Sequence, residues 1–547
     1  MDCRALLPEQ LPHTTKLTRD YTANFSKLEN FFAHPPELKS IGAVAEKLRF
    51  PAERRGEVTE ILRTQNKQFG SSPKTQENID LLERSAVTIV TGQQVGLFGG
   101  PAYAFYKAFS AIHTARQLTK DGIEAVPVFW MATEDHDVDE VRHTTWFSDG
   151  KLHRFELPAP NSGDSQRSLH EAGVPVGRIL LGTEISAIVN QATAMLTGPD
   201  SARVTEILQH AYTPEATYGS AFAQLFGRIF AEEGLILLDP LDERLHRVAA
   251  PILRQALEQR DELNLLLLRR GKDLERSGYA AQVNVTARST VLFSMAGGKR
   301  HVISTANGDG LTSGSHTAPR DEWLQNVENH PELFSPNALF RPVVQDYMLP
   351  TVAYFGGPAE VAYYAQSQVL YETLLGRMPV ILPRADFTLV DPKAVRLLRK
   401  YGLQVEDVWQ GRQILRRRMF GTSVPKKLAR EFDENLRQME KSSKKLRKEL
   451  TKVDPTLQDT VTRAEKRISY QIGKLRERTG AALDRHEKLI DQHEQFLENL
   501  LYPEKDLQSR DLNFLPFLSR WGAQGLKDLE KHASPKKPGR HFVVPIP

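Results

Sequence analysis

The sequence predicts an α/β protein, in which a parallel-sheet core is interrupted by insertions and followed by a long antiparallel pair of helices. Three observations predict it. Residues 98–108, "FGGPAYAFYKA", and residues 355–365, "FGGPAEVAYYA", repeat nearly the same eleven positions more than two hundred residues apart. Both stand between an apolar, β-branched run and a helical pattern, the arrangement of a strand-to-helix turn. From Val424 the composition changes to charged residues with little glycine, and apolar residues recur at three- and four-residue spacing.

The elements follow in order. "SAVTIVTG" (85–92) reads as a buried strand, "QQVGLFGG" as its loop, and Pro101 as the first position of a helix carrying Phe105, Phe109, Ile112 and Ala115. "AVPVFWMAT" (125–133) is the next strand, so the unit is long enough for the crossover that joins parallel strands. In the second unit "LPTVAY" is the strand, Pro358 opens the helix through "AEVAYYAQSQVLYETLL", and "MPVILPR" (378–384) is the strand that follows. Residues 1–80 alternate helical patterns with proline breaks. "GKLHRFELPAPNSGDSQRSLHEAG" and "MAGGKRHVISTANGDGLTSG" read as β or loop material inserted in the core.

In the charged region Leu428, Phe432, Leu436, Met439, Leu446 and Leu450 form one apolar stripe. Leu457, Val461, Ala464, Ile468, Ile472, Leu475, Thr479, Ala482, Leu489, Phe496 and Leu500 form a second, and "VDPT" around Pro455 breaks between them. The reading is an antiparallel helical pair that also offers a dimer surface. Its basic stretch "KSSKKLRKEL" and the tail "SPKKPGR" read as solvated faces rather than as an RNA surface. The division expected is a helical segment (1–80), a core (81–415) with insertions near 145–230 and 270–335, a coiled coil (416–505) and a segment returning to the core (506–547).

Composition narrows the function classes. With 547 residues, 40% of them hydrophobic, the chain can bury a large core and exceeds the usual length of one domain. Lys and Arg number 72 against 68 Asp and Glu, so no global field draws nucleic acid or an acidic membrane, and an anion must be held locally. A single cysteine, Cys3, excludes an internal disulfide and a Cys-based zinc site and fits a reducing compartment. The start, "MDCRALLPEQLPHTT", has no basic or apolar signal region, so a soluble cytoplasmic protein is expected.

The chemistry is expected where the two turns open, at the carboxyl edge of the sheet. Gly-Gly lets backbone approach a ligand, and the first turn of each helix presents N–H groups at its positive end. The substrate- or nucleotide-binding candidates are therefore Thr91, Gly92, Gln93, Gln94, Gly96, Gly99, Gly100, Tyr103 and Lys107 around the first turn. Gly356, Gly357, Glu360 and Tyr363 are their counterparts at the second. Lys107 either leans back towards the anion site or is a solvated helix lysine. The loop matches neither G-x-x-x-x-G-K-[ST] nor G-x-G-x-x-G.

After the second strand, "TEDHDVDEVRH" crowds Glu134, Asp135, His136, Asp137, Asp139 and Glu140 onto the same edge. Such a run can hold Mg²⁺, bind a substrate ammonium or supply a general base, and Glu134, Asp135, His136 and Asp137 are the catalytic candidates. Any metal ligand set is left open. Before the second turn, "FSPNALFRPVVQDYMLP" offers Asn337, Arg341 and Gln345, and Arg384 ends the following strand; both arginines suit carboxylate recognition.

"TGQQVGLFGGPAYAFYKA", "PVFWMATEDHDVDEV", "SPNALFRPVVQDYMLPTVAYFGGPAEVAYYAQ" and "MPVILPRADFTLVD", in this order, resemble the bacillithiol-biosynthesis cysteine-adding enzyme family over nearly the whole chain. The resemblance implies a Rossmann-like core related to class I aminoacyl-tRNA synthetases and pantothenate synthetase, with connecting insertions and a dimer-forming coiled coil. It also implies the reaction, which joins the carboxyl of L-cysteine to the amine of glucosaminyl-malate. Amide formation from a free acid needs activation, so ATP with Mg²⁺ is expected, although the chain lacks the HIGH and KMSKS signatures of those synthetases. Another carboxylate–amine ligase on the same scaffold, or a non-catalytic coiled-coil or RNA-binding scaffold, are the rival readings.

Overall fold

A computed structural model describes residues 3–158, 173–296, 298–306, 309–422, 426–483, 488–533 and 538–546. Val424, residues 159–172 of the first predicted insertion, the start of the "SPKKPGR" tail and the side chain of Ala482 lie outside the described residues.

The central sheet is built from the runs that the sequence marks as apolar. Its strands are β1 (Val87–Gln93), β2 (Ala125–Met131), β3 (Ile236–Leu238), β4 (Thr351–Gly356) and β5 (Val380–Pro383). They stand in the order β5-β4-β1-β2-β3, every neighbouring pair parallel. Helices cover both faces, which is why these strands are apolar throughout instead of alternating. Helix α1 (Tyr103–Lys120) joins β1 to β2, α2 (Arg341–Met348) leads into β4, and α3 (Pro358–Leu374) joins β4 to β5. Pro358 opens α3 as expected, whereas α1 begins two residues after Pro101.

The chain leaves β1 to one side, through β2 and β3, and returns on the other side at β4. Diverging connections of this kind open a crevice at the carboxyl ends of the two middle strands, β1 and β4. Those are the strands that end in the repeated motif. Thr91 ties them together, its hydroxyl donating to the Phe355 carbonyl at 2.8 Å.

The inserted segments lie around this crevice. One holds the hairpin His143–Ser148 with Lys151–Glu156; another forms an antiparallel sheet from Ser289–Ala296, Lys299–Thr305, Gly310–Ser313, His316–Pro319 and Phe334–Pro336. The N-terminal region is helical, as its sequence pattern predicts, apart from the short strand Arg4–Leu6.

After β6 (Asp386–Val390), helices α4 (Arg412–Thr422), α5 (Lys426–Val453) and α6 (Leu457–Leu483) carry the charged region. The break falls at Pro455 as expected, with Asp454 accepting from the Thr456 N–H. Helices α5 and α6 run antiparallel: Arg447 pairs with Glu465 near the turn and Arg476 with Asp433 far from it. Helix α7 (Lys488–Leu501) returns to the core, and α8 (Gln508–Asp511) follows. The last strand, β7 (His541–Pro545), lies parallel to β6 and antiparallel to Arg4–Leu6. No helix among the described residues is long and apolar enough to cross a membrane.

Candidate active site

A cavity of about 380 Å³ opens at the carboxyl ends of β1 and β4. Eleven of the candidates chosen from the sequence line it: Gly92, Gln93, Gln94, Tyr103, Lys107, Asp135, Arg341, Gly357, Glu360, Tyr363 and Arg384.

The two copies of Phe-Gly-Gly-Pro-Ala meet the cavity differently, because identical residues have different backbones. In the second copy Gly357 caps α3 at φ −76°, its N–H donating to Glu360 at 2.7 Å, and Gly357, Pro358 and Ala359 face the cavity. In the first copy the chain turns inward at positive φ on Phe98, Gly99 and Gly100. Its backbone groups are used internally: the Gly100 N–H donates to the Leu97 carbonyl and the Ala102 N–H to the Leu512 carbonyl. Asn513 donates to the carbonyls of Phe98 and Gly100 at 2.9 and 2.7 Å. Gly96, Gly99 and Gly100, expected to form a ligand loop, are placed away from this cavity. They are buried and absent from the cavity wall, and their glycines serve a tight turn packed against Phe105 and Leu225.

Lys107 is not a solvated helix lysine. Its side chain leans back along α1, as long helix side chains do, and is 2% exposed. Nζ donates to the Gly92 carbonyl at 2.7 Å and to Gln93 Oε1 at 2.8 Å, and it forms an ion pair with Glu360. Glu360 also accepts from the Tyr354 hydroxyl at 2.6 Å. Burial pushes the Glu360 carboxyl up, but the Lys107 ammonium and the Gly357 N–H outweigh it and hold the group below the usual carboxylate range.

Arg341 lies deep among protein atoms yet keeps part of its surface open to the cavity. It donates to Gln345 Oε1 at 3.0 Å and the Tyr363 hydroxyl at 3.2 Å, with the rings of Trp130 and Tyr354 each 5.7 Å from its guanidinium carbon. None of these partners carries a negative charge. Arg384 lines the cavity as well, bonded to Asp386 at 2.6 Å and 5.2 Å from the ring of Tyr103.

The acidic run divides. Asp135 faces the cavity, where Gln94 donates to it at 2.7 Å and Gln94 Oε1 has no partner among the described residues. Glu140 lines the cavity too; burial first, then Asp135 and Asp137, raise its pKa. Glu134 lies in the turn after β2 and does not line the cavity. It meets His246 at 3.3 Å, and burial raises its pKa. His136 and Asp137 are exposed outside the cavity wall, and Asp137 caps a short helix by accepting from the Glu140 N–H. Thr91, Asn337, Gln345 and Gly356 also lie off the wall. Asn337 accepts from the N–H groups of Leu339 and Phe340, and Gln345 bridges Arg341 to Asp346.

Sequence reasoning missed Trp130, Ala132, Tyr354 and Arg510 as wall residues. The first three end or follow strands next to the named motifs, a signal that was there to use. Arg510 comes from α8, more than a hundred residues after the last named candidate, and nothing local marks it. Among the described residues no group of three or more His, Cys, Asp or Glu is arranged to hold a metal ion.

The cavity wall carries the cations Arg341, Arg384 and Arg510 and the carboxylates Asp135 and Glu140. It can hold an anionic substrate at Arg341 and Arg384 and an ammonium near Asp135 and Gln94.

Residues 1–385 match the family model described as bacillithiol biosynthesis BshC, N-terminal Rossmann-like domain. Residues 387–546 match bacillithiol biosynthesis BshC, C-terminal coiled-coil domain. Three relatives share the name "putative cysteine ligase BshC". That of Koribacter versatilis is 40% identical over 522 residues, covering 95% of each chain. That of Solibacter usitatus is 37% identical over 524 residues, 95% of this chain and 96% of its own. That of Chlorobaculum tepidum is 33% identical over 513 residues, 90% and 89%.

Proposed function

The chain belongs to the bacillithiol biosynthesis BshC family, and from that premise we propose that it is a carbon–nitrogen ligase joining the carboxyl of L-cysteine to the amine of glucosaminyl-malate. The observation that carries the reading is Arg341, a deep-set guanidinium whose bonded partners are neutral and which opens on the cavity. Arg341 lies within electrostatic reach of Glu134 but is bonded to no carboxylate, so a substrate carboxylate can take its remaining N–H groups. Glucosaminyl-malate brings two carboxylates, and Arg341 and Arg384 stand ready for them.

Asp135 has the other half of the work. It is fixed by Gln94 and stands beside an unpartnered amide oxygen, so the pair can accept N–H bonds from a substrate ammonium. Asp135 then takes one proton, freeing the nitrogen lone pair that attacks the cysteine carboxyl carbon. The Lys107–Glu360 pair fixes the ends of β1 and α3 around that point. Trp130, Tyr354 and Tyr363 give the wall an apolar part.

Joining a free carboxylate to an amine releases oxygen as water or as part of a phosphate, and ATP supplies that activation. Arg510 would suit phosphoryl oxygens, and Glu140 would suit Mg²⁺ held jointly with phosphate. We further propose a homodimer through the coiled coil and a cytoplasmic location.

The test is mass spectrometry of purified protein with glucosaminyl-malate, L-cysteine, ATP and Mg²⁺. The expected product has the summed mass of the two substrates less one water, and it disappears without ATP. Product from another amino acid but not cysteine moves the assignment to a different ligase, and the absence of any condensation overturns it.

A further inference from the structure

Arg384 is held by a buried chain of groups that begins at the far C-terminus. The strands β6 and β7 are in register so that Asp386 stands opposite His541. His541 is fully buried; its Nδ1 lies 3.3 Å from Asp386 Oδ2, and its other nitrogen lies 2.7 Å from the Thr388 hydroxyl. The other Asp386 oxygen is 2.6 Å from Arg384 Nη1. Burial pushes the Asp386 carboxyl up, but the Arg384 guanidinium and His541 outweigh it and keep it ionised.

Arg384 itself is 7% exposed, and its Nε has no hydrogen-bond partner among the described residues. That nitrogen lies 4.0 Å from the point where a Cβ on Gly357 would stand, and Gly357 and Arg384 both line the cavity. An orphaned donor on a buried cation is rare in native structures unless a ligand completes it. The missing Gly357 side chain leaves room for one. One edge of the guanidinium is thus held from behind by Asp386, which His541 Nδ1 approaches as an ion-pair contact at 3.3 Å outside hydrogen-bond geometry.

We propose that Asp386 and His541 are positioning residues, which act through Arg384 by aligning its free Nε–H edge with a carboxylate of the acceptor substrate. The last strand of the chain, far from the cavity in sequence, therefore contributes to substrate affinity. The proposal rests on the ligase reading for the identity of that carboxylate.

Calorimetric titration of the full-length protein with glucosaminyl-malate tests both levels separately. Wild type is expected to bind. Asp386→Asn and His541→Leu are expected to weaken binding by about tenfold or more, the scale of one charge-assisted hydrogen bond. His541→Asn keeps an N–H near the position of Nδ1 and should recover most of the loss. In an Arg384→Lys background, Asp386→Asn should weaken binding no further, because there is no guanidinium fork left to align. A merely structural role would lower affinity in both backgrounds, and that result overturns the proposal. So does unchanged binding in the folded variants while wild type binds. If wild type itself does not bind, the substrate assignment fails and this proposal falls with it; the His541→Asn comparison keeps the test decisive should His541→Leu not fold.

Discussion

Lys107 and Glu360 form a buried ion pair between the two helices that follow the repeated Phe-Gly-Gly-Pro-Ala turns. Glu360 directly follows its own Phe-Gly-Gly-Pro-Ala and Lys107 lies further along the helix after the other, and their meeting joins β1 to β4 across the point where the strand order diverges. Removing one member of such a pair leaves a desolvated charge, so Lys107→Met should destabilise the protein by about 3–5 kcal/mol. Lys107→Met with Glu360→Gln should lose much less. Urea denaturation of the three proteins measures this, and equal losses in the single and double variants would contradict the pairing.

The same pair sets a pH dependence. Because the folded protein holds Glu360 below the ordinary carboxylate range, its contribution is present above the unfolded pKa, about 4.3, and is lost as pH falls through the folded value. The stability gap between wild type and Glu360→Gln should therefore be constant near neutrality and narrow in acid. A gap that instead widened in acid would mean that Glu360 is protonated in the folded state.

The two glycine turns should answer the same substitution in opposite ways. Gly99 has φ +85° and an added Cβ would stand 2.7 Å from the Phe105 ring, so Gly99→Ala should cost several kcal/mol, combining strain with overpacking of about 1–3 kcal/mol each. Gly357 has φ −76° and its nearest neighbour would be Glu360 Oε2 at 3.5 Å. Gly357→Ala should leave stability within about 1 kcal/mol while occupying the space before Arg384 and weakening acceptor binding. Thermal melts and titration of the two variants separate the cases.

This contrast marks how far the sequence could be read. The strands, the two strand-to-helix units and the break at Pro455 were legible because each depends on local pattern: apolar runs, Pro-opened helices and three-four spacing. The cavity wall was legible where strand ends fixed it, at Gly92, Gln93, Gln94, Asp135, Gly357 and Arg384. The inward fold of Gly99 and Gly100 was not, since it depends on Asn513 and Leu512, some four hundred residues away. Nor was the turn of Glu134 towards His246, or the arrival of Arg510, because long-range pairing leaves no local trace.

Arg341 should show a separation of function from stability. Burial disfavours the Arg341 charge, but the tyrosines around it outweigh that and hold its pKa up, so Arg341→Met should cost no more than about 1–3 kcal/mol, the scale of two lost hydrogen bonds. Its loss should lower kcat/KM by about a hundredfold, the scale of a deleted buried charge contact to substrate. Melting and steady-state kinetics together test this; a large drop in stability would show that Arg341 is an element of the core.

Within the acidic run the structure distinguishes neighbours. Asp135→Ala removes the carboxylate facing the cavity and should lower kcat by about 10²–10⁴-fold, the range of a general base. His136→Ala, at an exposed position off the wall whose Nδ1 lies 3.6 Å from Asp135 Oδ1, should lower kcat less than Asp135→Ala does. Equal losses in both would return His136 to the chemistry.

The coiled coil carries the last prediction. Leu446 is 55% exposed, Leu475 57% and Ile468 46%, although each belongs to the apolar stripes of α5 and α6. Two antiparallel helices bury only the face between them, so a stripe wider than that face remains in water unless another copy covers it. Leu446→Glu with Leu475→Glu places like charges on that surface and should convert a dimer to a monomer in light-scattering measurements at micromolar concentration. The variant should stay folded, since neither side chain is buried in a single chain. If wild type is monomeric at the same concentration, the stripe is not the dimer surface and its exposure is an ordinary feature of a long helical hairpin.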